Sequence, residues 1–98
     1  FKEVIISTVE YIDQYVFPPK QIIVRGGDSP KKLSVISTLT PDQPAKNRSR
    51  HIIPFHLNID QKKYKYIEIE AIPVNKLPNW HPGRGDKGWV FVDEVFFY

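Results

Sequence analysis

The sequence has no cysteine and no methionine in its 98 residues, and only five glycines. Without cysteine there is neither a disulfide framework nor a thiolate metal site, and the redox compartment stays open. No stretch approaches the ~18 apolar residues that a membrane-spanning helix requires, and no charged, apolar and cleavage regions follow one another as in a signal peptide. Membrane insertion is therefore not expected. The lack of methionine, with a start at Phe1 inside an apolar segment, suggests a piece cut from a longer polypeptide whose targeting information lies upstream. Helical periodicity is nearly absent as well, residues 8–15 being the single candidate.

Charge of one sign is also scarce. Fourteen basic against eleven acidic residues give +3, spread along the chain. The densest basic stretch, Lys46, Arg48 and Arg50, sits among Pro41, Pro44, Asn47 and Ser49 and has the composition of a solvated loop. Nucleic-acid binding normally needs a wider basic face, so no nucleic-acid partner is expected.

What the sequence does contain is β-favouring segments separated by proline and glycine. Residues 1–9 hold Val4, Ile5, Ile6, Thr8 and Val9; residues 20–25 hold Ile22, Ile23 and Val24. Pro18-Pro19 separates these two, because prolines cannot continue a ladder and restrict the residue before them. Gly26-Gly27-Asp28-Ser29-Pro30 spells a turn, and residues 33–39 alternate as the other arm of a hairpin. In 51–59, Ile53, Phe55, Leu57 and Ile59 share one side, with Pro54 marking an edge or a bulge. Residues 64–72 alternate most clearly, Ile67, Ile69 and Ala71 against Tyr66, Glu68 and Glu70. Residues 88–98 are apolar on both faces apart from Asp93 and Glu94, which predicts a central strand covered on each side. At this length one domain over 1–98 is expected, an all-β antiparallel sandwich burying about 60 to 65% of its unfolded surface.

The most distinctive block is 77–95, in which Leu77-Pro78-Asn79-Trp80-His81-Pro82-Gly83 leads through Arg84-Gly85-Asp86 to Gly88-Trp89-Val90-Phe91-Val92-Asp93-Glu94-Val95. With Tyr64-Lys65-Tyr66-Ile67-Glu68-Ile69-Glu70-Ala71, and with Phe17-Pro18-Pro19-Lys20, Ile22-Ile23-Val24 and Gly27-Asp28-Ser29 upstream, it resembles the discoidin-like (coagulation factor 5/8 type C) galactose-binding-fold domains. The likeness is to those attached to bacterial family 20 glycoside hydrolases, the chitobiases and β-N-acetylhexosaminidases of Bacteroides relatives. It runs nearly end to end, but such domains begin with further strands and a loop that have no counterpart here. The resemblance implies a jelly-roll sandwich lacking its first strands. It also implies a non-catalytic accessory domain of a secreted, periplasmic or outer-surface hydrolase, partnered by a glycan or by the neighbouring catalytic domain.

Individual residues then have two readings each. Trp80, His81 and Arg84 are candidate carbohydrate-binding residues, since a ring stacks on the apolar face of a sugar while His and Arg bond its hydroxyls. Equally, Trp80 packs onto the sandwich and His81 bridges loop carbonyls in a loop stiffened by Pro78 and Pro82. Arg84-Gly85-Asp86 matches an integrin-recognition tripeptide and Asn47-Arg48-Ser49 a glycosylation sequon, both patterns that chance supplies readily.

The adjacent pair Asp93 and Glu94 mimics the acid pair of family 20 enzymes. Strand neighbours nevertheless point to opposite faces and do not converge on one bond. In carbohydrate-binding relatives a Glu on the final strand often ligates a structural calcium with carbonyls from an early loop, so the resemblance makes Glu94 a possible calcium ligand in an intact domain. Calcium takes six to eight oxygens, and that loop has no counterpart in this sequence. Asp93 is expected to accept hydrogen bonds from the 73–88 loop. His51, His56 and His81 are too scattered for a zinc site, the first two being expected on one exposed strand face. With no phosphate loop or nucleophile elbow, no reaction by this chain alone is expected.

Overall fold

The computed structural model describes residues 2–59 and 64–98, in which six strands form two antiparallel sheets. They are β1 (Glu3–Glu10), β2 (Gln21–Gly27), β3 (Ser34–Leu39), β4 (His51–Asn58), β5 (Tyr66–Ile72) and β6 (Phe91–Phe97). One sheet has the order β4-β1-β6 and the other β3-β2-β5. Together they make a β-sandwich, with no α-helix among the described residues. Phe1, the expected start of the first strand, lies outside them.

Alternation explains the central strands. Along β1, Val4, Ile6 and Thr8 point inward and are buried, while Ile5, Ser7 and Val9 are half-exposed on the outer face. β2 repeats the pattern with Ile22 and Val24, and the two sheets share a core of Val4, Ile6, Ile22, Val24, Leu57 and Ile59. Burying each such side chain is favourable by about 1.5–3 kcal/mol, which makes this cluster the main source of cohesion.

Partners follow in register: Val4 faces Leu57 and Ile6 faces Phe55 on β4, whereas Ile22 faces Ala71 and Val24 faces Ile69 on β5. Pro54 lies in β4, at an edge, where its missing N–H costs least. The expected hairpin is β2–β3, antiparallel, with a register shift between Val24 and Arg25. Its turn needs glycine at 27, since a Cβ there would collide with the Lys32 carbonyl. On the outer face, Arg25 Nη1 donates to Glu68 at 2.8 Å and Glu70 at 3.0 Å. The bond to Glu70, then that to Glu68, holds its guanidinium above the usual arginine pKa.

Two expectations are corrected. Residues 8–10 continue β1 and only Ile12–Gln14 coil, as a single 3-10 turn closed by Tyr15 at φ 65°. β6 is an edge strand and not a covered central one: Val92 and Val95 remain 45% and 39% exposed on its inward side. Val95 pairs with Ile6 and Val92 with Thr8, both buried, so exposure rises abruptly one strand outward. Apolar residues on both faces fit a central strand and an uncovered edge equally well, and the sequence pattern does not separate the two.

Candidate functional site

Between the sheets' ends, the chain makes a second, smaller core of Ile12, Phe17 and Leu77, with Tyr15 and Val74 against it. Pro18 and Pro19 are buried beside Phe17, and Gln43 Nε2 donates to both their carbonyls at 3.1 Å. Over this core the 73–89 loop closes on itself. Leu77 N–H donates to the Asp86 carbonyl at 2.8 Å, Gly85 N–H to Leu77 at 3.2 Å and Gly88 N–H to Val74 at 2.9 Å. The loop then joins the chain before β2, as Phe17 N–H donates to the Trp89 carbonyl at 3.1 Å and Trp89 N–H to the Tyr15 carbonyl at 2.8 Å.

His81 is the pin of this loop. It is buried, its Nδ1 accepts from Gly83 N–H at 2.9 Å, and its Nε2 lies 2.8 Å from the Ile12 carbonyl. An acceptor at Nδ1 leaves the proton on Nε2, which donates to Ile12; the tautomer is assigned from these partners. Around the ring stand Tyr15, Phe17 and Trp80, with centroids 5.0, 5.5 and 5.8 Å away. Its ring thus ties the loop, at Gly83, to the 3-10 turn, at Ile12. Trp80 is exposed, though one side of its ring lies against Phe17. Arg84 is exposed at the loop tip and has no side-chain hydrogen bond or ion pair with described residues. Thus Trp80 and His81 are brought together, and Arg84 points elsewhere.

Two grooves flank the 3-10 turn. The smaller, about 150 Å³, is lined by Trp80, His81, Pro82, Tyr15, Asp13 and Asn47. Asn47 Nδ2 donates to Asp13 Oδ1 at 2.7 Å, which ties the 40–50 loop to the turn. The larger, about 500 Å³, is lined by Val9, Tyr11, Gln14, Val16, Arg50, Trp89 and Phe91. Trp89 is 63% exposed there, with its backbone fixed by the bridge to Val16. Neighbouring residues of the turn, Asp13 and Gln14, serve one groove each, as do Asn47 and Arg50 of the loop.

A fully buried carboxylate organises that loop. Glu10, the last residue of β1, receives Arg48 Nε at 2.9 Å and a second, short bond from Arg48 Nη2; His51 Nε2 stands 3.3 Å away. His51 Nδ1 in turn faces the Ser49 carbonyl at 2.8 Å. The expectation of a wholly solvated basic loop is corrected accordingly, since the Arg48 guanidinium binds a core acid. Sequence reasoning missed Glu10, although its even position, in step with Val4, Ile6 and Thr8, was the available signal.

The remaining candidates do not converge. His51 and His56 lie on opposite faces of β4, the one against Glu10 and the other against Glu3 at 2.5 Å, contrary to the shared exposed face expected. Asp93 falls at the irregularity where β1–β6 pairing passes from Glu94 to Val92, and it makes no hydrogen bond to the 73–88 loop, contrary to expectation. Glu94 is exposed opposite Ser7, and no group of three or more histidine or acidic side chains able to hold a metal ion occurs among the described residues. Those residues do not assemble the calcium shell that the resemblance implies around Glu94. No family model matches the chain, and no curated protein matches it significantly.

Proposed function

We propose that this chain is a non-catalytic, carbohydrate-binding accessory sandwich of a secreted or periplasmic glycoside hydrolase of the β-N-acetylhexosaminidase kind. The observation that carries the reading is the larger groove, where the exposed ring of Trp89 stands beside Phe91 and Tyr11, with the Gln14 amide and Arg50 guanidinium at hand. Flat apolar walls with a few convergent polar groups suit a pyranose ring, whose faces are apolar and whose rim is hydroxylated. In this reading the sugar-facing residues shift from Trp80, His81 and Arg84 toward Trp89, with Trp80 at the adjoining smaller groove. The jelly-roll topology, a calcium ion held in part by Glu94 and the parent hydrolase belong to the same proposal.

Binding by such an appendage is weak per site and acts by raising local enzyme concentration on a multivalent substrate. Calorimetric titration with N-acetylglucosamine and galactose derivatives tests it. Trp89→Ala is expected to remove binding while leaving the melting temperature in place, because that ring is mostly in water. Silence toward every sugar, with calcium present, would end the lectin reading.

A second reading rests on β6. Its half-exposed apolar residues suit a sandwich that packs against a neighbouring catalytic domain, with no glycan role.

A further inference from the structure

We infer that the larger groove takes a carboxylated sugar, a pyranose bearing a ring carboxylate, and that Arg50 selects it; this rests on the carbohydrate reading of the same groove. Two of the other three arginines are spoken for, Arg25 by Glu68 and Glu70 and Arg48 by Glu10, while the exposed Arg84 lines neither groove. Among the described residues Arg50 has no side-chain hydrogen bond or ion pair, and it is the one charged residue of those lining the groove. The nearest acid along the turn, Asp13, lines the smaller groove instead and accepts from Asn47.

The anchoring of the loop explains why Arg50 is available. Arg48 and His51 both reach the buried Glu10, one on each side of Arg50 in sequence. Two tethers to one carboxylate pin the segment and leave the intervening side chain to line the groove. A guanidinium cannot lose its charge and presents parallel N–H donors that match a carboxylate in bidentate fashion. Beside Trp89 and Phe91, that fork would meet an anionic substituent while the sugar face lies on the rings. A neutral sugar would leave the cation unmatched.

The test is titration of the 98-residue chain with methyl glucuronide and methyl glucoside, followed by tryptophan fluorescence and calorimetry at low and high salt. The glucuronide is expected to bind about tenfold tighter, the usual worth of one charge-assisted hydrogen bond, and to lose that margin in high salt. Arg50→Gln should bring the glucuronide down to the affinity of the glucoside. Equal affinities for the unaltered chain would overturn the inference while leaving the carbohydrate reading intact. Loss of the preference in Arg84→Gln but not in Arg50→Gln would overturn it too. Failure of both sugars to bind would remove the carbohydrate reading and this inference together.

Discussion

His81 and Glu10 are buried polar residues whose replacement has different consequences, because one is neutral and the other an acid. Removing the His81 ring takes the partner from the buried Gly83 N–H and leaves the Ile12 carbonyl with the Tyr15 N–H alone. His81→Ala is therefore expected to cost about 2–4 kcal/mol, read from the denaturant midpoint, against about 1 kcal/mol for Trp80→Ala at a partly exposed site. For Glu10 the ordering of two variants is the sharper test. Arg48→Ala leaves a buried carboxylate with only His51 beside it, whereas Glu10→Gln removes the charge and keeps the shape. A fully buried broken pair costs roughly 3–5 kcal/mol. Arg48 is 44% exposed, so water partly replaces it and Arg48→Ala should cost about 2–3 kcal/mol, more than Glu10→Gln. The reverse order in urea unfolding would mean that the carboxylate is not held as a charge. The stiffness of the Pro78–Pro82 loop was legible in the sequence, because proline acts locally. The partners of His81 and Glu10 were not, since Ile12 lies 69 positions from the histidine and Arg48 lies 38 from the acid.

At the scale of the element, the 73–89 loop behaves as one folded unit whose glycines are required for unlike reasons. A Cβ on Gly83 would stand 2.5 Å from the Tyr15 ring, while Gly85, at φ 87°, has open space but a backbone that side chains disfavour. Gly83→Ala should cost about 1–3 kcal/mol through overpacking and Gly85→Ala about 1–2 kcal/mol through strain. A double-mutant cycle tells the causes apart. Combined with Tyr15→Ala, the Gly83 penalty should largely vanish, while the Gly85 penalty should persist unchanged. Additivity at both positions would show that Tyr15 is not what Gly83 accommodates. β4 and β5 were legible because half-burial writes itself into every second residue, and β1 and β2 because β-branched runs lie between proline and glycine breaks. The 3-10 turn was not, as three residues carry too little periodicity.

For the whole molecule, the sandwich is sealed in its middle and open along β6. The inward residues Val92 and Val95 neighbour buried Thr8 and Ile6, yet face water, and Phe91 and Phe96 add apolar surface on the outer side. A strand apolar on both faces at a sheet edge is a template for association, moderated here by Asp93, Glu94 and the register irregularity between them and β1. The 98-residue chain is accordingly expected to self-associate as its concentration rises, with sedimentation velocity reporting the change. Antiparallel pairing of two β6 strands centred on Glu94 would set like charges opposite each other, so association should strengthen when Glu94→Gln removes that repulsion. Val95→Lys should weaken association at little cost in stability, because the side chain it replaces is already 39% exposed and a lysine there extends into water. If instead Val95→Lys unfolds the chain, that face is a closed part of the core and the open-flank description fails. If it folds normally and association is unaltered, the contact lies on another edge, with β3 and β5, the outer strands of the second sheet, next in line.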